Sequence, residues 1–370
     1  MGKITINSKE LLKEVKILLP VTQRYAIMPI TEMILFKSVN GKKIELTANN
    51  NHIQIAREVD CLNSGNIDVC LPAKTLHDLL SKLPDVGIEL IFENIKCSVK
   101  TTLGRYSITG EPGKDFMESK DVGKGVSFEI DSGTFKRQIS NASMFASSDE
   151  IDARKRVVNF EIIDNVLTCA GSGMGDKNAI AALGVSQSDG LEIEGNHEFN
   201  IDNSCIEVVK RSIPNNGKIF IFFSDKVFWI KFEKTLIACG KVDLRWFPWK
   251  SILPSFGQTA KVRRNGLIGL IERVGLFSNE GLISTYWNGE KLTIEGSQPM
   301  DLGNAREDMK IESSIQMKAG FNSKYFLSVL KSLDGEMIEI TAKDERSALL
   351  ISNESKTEIR LLMPYVILNK

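Results

Sequence analysis

The chain has 370 residues, 42% of them hydrophobic, with 47 basic and 47 acidic side chains. It can fill several cores, and no apolar run is long enough to span a bilayer. Six cysteines without a CxxC pair and three histidines far apart argue against a disulfide framework, a metal site or a histidine-based catalytic cluster.

In chain order, the start (MGKITINSKELL) lacks a signal-peptide core, so a cytoplasmic protein with no membrane partner is expected. Ser8 is positioned to cap a helix whose apolar face is Leu11, Leu12, Val15, Leu18 and Leu19. Strands are predicted over 33–39, 43–48 and 52–59, the first two joined by Asn40-Gly41, a strong hairpin signal. The stretch Leu71–Phe92 then changes period from helical to alternating at Pro84-Asp85. That change recurs at 201–223 and 321–341. Leu83, Ile213 and Leu333 are equivalent, about 120 to 130 residues apart, a period that fits domains rather than a solenoid.

Each repeat is expected to begin with a helix, the second at 132–146 and the third around Leu267, Leu270, Ile271 and Val274. Further strands are predicted over 87–93, 96–100, 104–109, 126–130, 157–163, 166–170, 179–185, 218–223, 227–232, 235–241, 282–287 and 291–295. The segments 111–125 and 296–308 read as a linker and a long polar loop. The fold class is α+β: three tandem domains at 1–122, 123–253 and 254–370, each with two helices on antiparallel sheets. A tandem array of hairpin-linked sheets has a free strand edge at each end, and a head-to-tail contact of such edges closes a ring or builds a filament.

Charge is segregated. Lys9, Lys13, Lys16, Lys74, Lys82, Lys136, Arg137, Lys210, Arg211, Lys261, Arg263, Arg264, Arg273, Lys324 and Lys331 outnumber the helical acids in all three repeats. Neutrality of the whole chain argues against nucleic acid, and a solvated helix face explains some of these residues. The excess in every repeat favours a polyanion bound through phosphates without sequence preference.

Four stretches carry a resemblance to a family. They are Arg24–Leu35 (RYAIMPITEMIL), Gly104–Ile108 (GRYSI), Val242–Pro248 (VDLRWFP) with Ile252-Leu253-Pro254, and Leu361-Leu362-Met363-Pro364. Together, on a threefold repeat, they resemble the bacterial DNA sliding clamp, the DNA polymerase III beta subunit. The resemblance implies a non-enzymatic homodimeric ring around double-stranded DNA, with helices lining the hole and no cofactor or metal. Its implied partners are the DNA polymerase III alpha subunit, an ATP-driven clamp loader and other proteins bearing a clamp-binding peptide. Arg24 and Lys74 match basic positions that face DNA in the family. Lys136, Arg137, Lys210, Arg264 and Lys331 join them on charge alone. Tyr106 and Ile108 match one side of the dimer interface, Leu276 and Phe277 the other. The partner-peptide pocket maps to Val157, Gly171, Gly173, Ile180, Pro248, Ile252, Leu361, Leu362, Met363 and Pro364. Where the family carries Thr-Asp-Gly-His-Arg-Leu-Ala, this chain has Gly171-Ser172-Gly173-Met174, which is expected to widen the groove.

The competing reading is an enzyme that cradles phosphate in the Gly-rich loop 171–177. The loop lacks P-loop spacing, its Lys177 is not followed by Ser or Thr, and a predicted strand rather than a helix follows. A repeat scaffold without DNA is a third reading.

Overall fold

The computed structural model describes residues 2–22, 28–118, 124–147, 152–173, 182–253, 257–298 and 302–365. The first repeat runs β1 (Gly2–Asn7), α1 (Ser8–Leu18), β2 (Met33–Asn40), β3 (Lys43–Asn49), β4 (Ile53–Asp60), β5 (Leu62–Ser64), β6 (Asp68–Pro72), α2 (Ala73–Lys82), β7 (Gly87–Glu93), β8 (Lys96–Lys100), β9 (Arg105–Thr109) and β10 (Glu111–Pro112). The second runs β11 (Val126–Asp131), α3 (Ser132–Ser143), β12 (Val157–Ile163), β13 (Val166–Gly173), β14 (Ala182–Ser188), β15 (His197–Asp202), α4 (Asn203–Ser212), β16 (Lys218–Phe223), β17 (Val227–Phe232) and β18 (Thr235–Gly240). The third runs β19 (Gln258–Arg263), α5 (Arg264–Gly275), β20 (Leu282–Asn288), β21 (Lys291–Ser297), β22 (Asn304–Lys310), β23 (Glu312–Ser313), β24 (Gln316–Asn322), α6 (Ser323–Lys331), β25 (Met337–Ala342), β26 (Leu349–Asn353) and β27 (Glu358–Leu362).

The plan is α+β, as the periodicity requires. Leu11, Leu12, Val15 and Leu18 are the buried stripe of α1; Leu267, Leu270, Ile271 and Val274 are that of α5. Each repeat opens with a strand rather than a helix: β1, β11 and β19. That strand shifts the first cap. The extended Asn7 accepts from the N–H groups of Lys9 and Glu10, while Ser8 Oγ donates to the Pro84 carbonyl at 2.7 Å. The polar segment 296–308 also proves to be partly strand. β22 alternates exposed and half-buried residues and pairs with β21 along its whole length. Its charges hide the strand period because it is a sheet edge, where polar side chains are favoured. Asp164 and Asn165 take positive φ values of 50° and 63° and make the tight hairpin between β12 and β13.

The chain packs as two compact units, Met1–Gly133 with Glu207–Lys241 and Thr134–Ile206 with Val242–Lys370. The first holds a five-stranded sheet, β5-β1-β7-β8-β9, and a nine-stranded sheet, β10-β6-β2-β3-β4-β18-β17-β16-β11. The second holds a nine-stranded sheet, β15-β12-β13-β14-β27-β26-β25-β19-β23, and a four-stranded sheet, β22-β21-β20-β24. Each nine-stranded sheet joins two repeats by one antiparallel seam. In the first unit β4 meets β18, with Arg57 opposite Thr235 and Ile55 opposite Ile237. In the second, β14 meets β27, with Ser186 opposite Glu358 and Gly184 opposite Arg360.

The hydrogen-bonded registers align the paired strands of the three repeats residue by residue. Arg57 faces Leu46, Ser186 faces Cys169 and Glu307 faces Ile294, so β4, β14 and β22 are equivalent. Val99 faces Tyr106, Ile230 faces Ile237 and Ile351 faces Arg360, so β9, β18 and β27 are equivalent. β4 and β18 are used in one seam, β14 and β27 in the other. Their counterparts β22 and β9 each end a sheet.

Candidate functional site: sheet ends, basic helices and an aromatic cluster

At the two sheet ends, Tyr106 is 37% exposed, Leu276 75% and Phe277 39%. Ile108, expected beside Tyr106 at an interface, shares the face of Tyr106 two residues along β9 but is 5% exposed, already covered within the chain. The equivalents of Tyr106 and Phe277 are covered, whereas that of Leu276, Met144, is 44% exposed. Tyr106 corresponds to Ile237 and Arg360, both fully buried, and Phe277 to Phe145, also fully buried. Phe145 sits in the core of the third repeat, against Gly184 of β14 and beneath the Arg360 guanidinium.

The basic residues are less free than their sequence suggested. Lys74 is exposed near the start of α2. Arg137 Nη1 lies 3.0 Å from Asp334 and 3.3 Å from the buried Glu358. Lys210 pairs with Glu207 at 2.6 Å and Lys331 with Glu272 at 2.7 Å. Arg264 donates to the carbonyls of Gly335 at 2.8 Å and Leu330 at 3.4 Å. Lys136 is half-buried on α3, and Arg24 lies outside the described residues. The exposed pairs are worth about 1 kcal/mol or less each, so a phosphate can displace them.

Among the pocket residues, Val157 and Leu361 come together in one buried cluster with Ala170, Leu183, Val185, Trp246, Trp249 and Ala348; Phe247 packs on it. The two tryptophans are members that motif matching missed, although the dense aromatic run WFPW was a visible signal. Trp246 Nε1 donates to the Arg154 carbonyl at 2.9 Å. The Arg154 guanidinium lies 4.8 Å over the Phe247 ring and binds Asp152 with two nitrogens, holding that carboxyl below its ordinary range. Lys250 stands over Trp249 and pairs with Glu161 at 2.7 Å. Pro248 and Met363 are exposed and Pro364 half-buried, whereas Leu362 turns to the core of the third repeat. Ile180 and the side chain of Ile252 lie outside the described residues.

Gly171 and Gly173 correct two expectations at once. Both are buried in β13 beneath the end of α3. A Cβ at Gly171 would lie 1.9 Å from the Ala142 carbonyl oxygen, and one at Gly173 would lie 2.4 Å from that of Phe145. They are glycines because helix backbone rests on strand backbone, so they neither cradle phosphate nor widen a groove. Described residues 171–173 are strand, and loop residues 174–177 lie outside the described set. The six cysteines are thiols outside any disulfide, five of them buried, and no metal-binding cluster of His, Cys, Asp or Glu occurs among the described residues. No described helix is long and apolar enough to cross a membrane.

Comparison with known proteins gives a consistent answer. Residues 2–118 match the family model for the DNA polymerase III beta subunit, N-terminal domain, and residues 250–366 that for its C-terminal domain; together they take in more than half of the chain. The beta sliding clamp of Pseudomonas aeruginosa is 23% identical over 357 residues, covering 94% of this chain and 95% of that one. The beta sliding clamp of Rickettsia felis is 21% identical over 383 residues, covering 98% and 99%. In fold, the chain is similar to the crystal structure of the DNA polymerase III beta subunit from Pseudomonas aeruginosa, with a TM-score of 0.90 at 21% identity over 99% of this chain and 100% of that one. A putative DNA polymerase III beta subunit from Eubacterium rectale gives 0.92 at 19% identity, with the same coverage. With two domain models of one family in order on a threefold repeat, the chain belongs to the family of DNA polymerase III beta subunits, the sliding clamps.

Proposed function

We propose that two copies of this chain close head to tail into a ring around duplex DNA, and that the ring tethers a replicative polymerase without performing chemistry itself. One observation carries this reading: β22 and β9 are the unused counterparts of two strand pairings already made inside the chain. A β22 of one copy paired with β9 of another, in the register of the two seams, sets Tyr106 opposite Ala305 of the second copy and lays it over Phe277, as Arg360 lies over Phe145. Two such contacts close a ring of six repeats. The repeats would be domains bounded at 1–122, 123–253 and 254–370.

Lys74, Lys136, Arg137, Lys210, Arg264, Lys331 and Arg24 supply phosphate contacts that give affinity without base reading, which suits sliding. The cluster around Val157, Trp246, Trp249 and Leu361 supports an apolar peptide site rimmed by Pro248, Met363 and Pro364. There a short segment of the DNA polymerase III alpha subunit or of the clamp loader would anchor by a few buried side chains. The test is topological. On nicked circular DNA with a loader, the chain should be retained until the circle is linearised, and charge reversal at Lys74, Lys136 and Lys331 together should reduce loading. Equal retention on open linear and circular DNA overturns the reading.

A further inference from the structure

At each seam inside the chain, a polar group on the first helix of a repeat grips a charged residue of a seam strand. In the first unit, Glu14 of α1 binds Arg57 of β4, and Arg57 Nη1 also donates across the seam to Thr235 Oγ1; the pair is 13% and 16% exposed. In the second unit, Asn141 of α3 donates to the buried Glu358 of β27 at 3.1 Å, and Arg137 adds its charge at 3.3 Å. The third repeat has a contact of the same kind at its open end, sharing one position with each of the two. Arg273 of α5 binds Glu307 of β22 with two nitrogens, at 2.9 and 2.7 Å. By register Glu307 is the equivalent of Arg57, and Arg273 that of Asn141. This pair differs in one respect: its side chains are 62% and 35% exposed.

We propose that Arg273–Glu307 is the closing latch of the contact between two copies of this chain. This rests on the head-to-tail reading above and adds the residues that govern its strength. The bidentate fork fixes β22 against α5, so the edge strand meets a second copy already in shape and loses little freedom on pairing. In the seam register Gly104 of the second copy stands opposite Glu307, and Tyr106 stands diagonal to it, as Ile237 does to Arg57. Gly104 leaves room there, and the Tyr106 hydroxyl is a donor within reach of the carboxylate. Closing encloses the pair, and its loss then strands a charge in a dry contact.

The experiment is sedimentation equilibrium of the full chain, without DNA, for wild type, Arg273→Glu, Glu307→Gln and the double reversal Arg273→Glu with Glu307→Arg. The expected result is a dimer dissociation constant raised at least tenfold by either single change and restored to within about threefold by the double reversal. Thermal melts of monomers at high dilution should stay within about 2 °C, which separates the latch from a general loss of fold; Glu307→Gln is the mild variant should Arg273→Glu melt early. Single variants that dimerise like wild type, or a double reversal as weak as the singles, overturn the latch alone. A wild-type chain that stays monomeric at tens of micromolar overturns the ring reading, and the latch with it.

Discussion

The Arg360 guanidinium lies 5.7 Å over the ring of Phe145, and neither residue reaches solvent. Arg360 donates to Ser332 Oγ, the Ser332 carbonyl and the Val185 carbonyl at 2.7, 2.8 and 2.7 Å, so one side chain ties β27 to β14 and to the end of α6. Glu358, 3.7 Å away, balances its charge and accepts from Asp334 N and Asn141. Burial lowers the arginine pKa to about 10, yet it stays a cation at neutral pH. Arg360→Ala removes the partner of a buried carboxylate and should destabilise the protein by about 3 to 5 kcal/mol. Arg360→Met combined with Glu358→Gln should recover most of that loss in urea unfolding.

Gly171→Ala should destabilise by about 1 to 3 kcal/mol, because the new methyl meets the Ala142 carbonyl and α3 must lift. Gly184→Ala should do the same against the Phe145 ring, 2.2 Å from its Cβ. Alanine at Gly190, with open space but a φ of +80°, should cost less. Urea midpoints of the three variants rank them.

Thiol chemistry should be slow in the native chain. Burial pushes Cys70 and Cys97 up to about 12, and burial with Asp60 nearby pushes Cys61 to about 11. The thiolate is the reacting form, so a raised pKa lowers reactivity at neutral pH and restores it only as pH climbs towards the shifted value. Iodoacetamide at pH 8 should leave native cysteines largely unmodified for many minutes, with half-buried Cys61 labelled first, and should modify all six in urea. Mass spectrometry of quenched samples reads both outcomes.

Changing Leu276 to Ala and Phe277 to Lys should give monomers at low micromolar concentration, since both are exposed apolar residues and the equivalent of Phe277, Phe145, is covered. Ile108→Ala should instead lower the melting temperature, because that residue fills its own core. The contrast is measured by sedimentation and by thermal denaturation of the same samples.

Deleting Met363–Lys370 should abolish binding of a polymerase C-terminal peptide and leave the dimer intact. Trp246→Ala should weaken the peptide as well, and it also frees the Arg154 carbonyl to relax the rim. Calorimetry with one peptide against both variants checks this; unchanged affinity places the peptide elsewhere.

The sequence alone determined the threefold repeat and the α+β plan. These rest on local signals: the switch from helical to alternating period at Leu83, Ile213 and Leu333, and the Asn-Gly turns. Tertiary structure decided whatever depends on residues far apart in the chain. β22 reads as polar loop because an edge strand can carry Arg306, Glu307 and Asp308 without burying them. Gly171 reads as a residue at the rim of a peptide groove, and only the fold shows α3 lying on it. Arg137 reads as one of the basic residues facing DNA, and nothing in the sequence ties it to Arg360. Only the fold puts Glu358 between them, since a buried charge needs its counter-charge within a few ångströms and the chain delivers those groups from residues 137, 358 and 360.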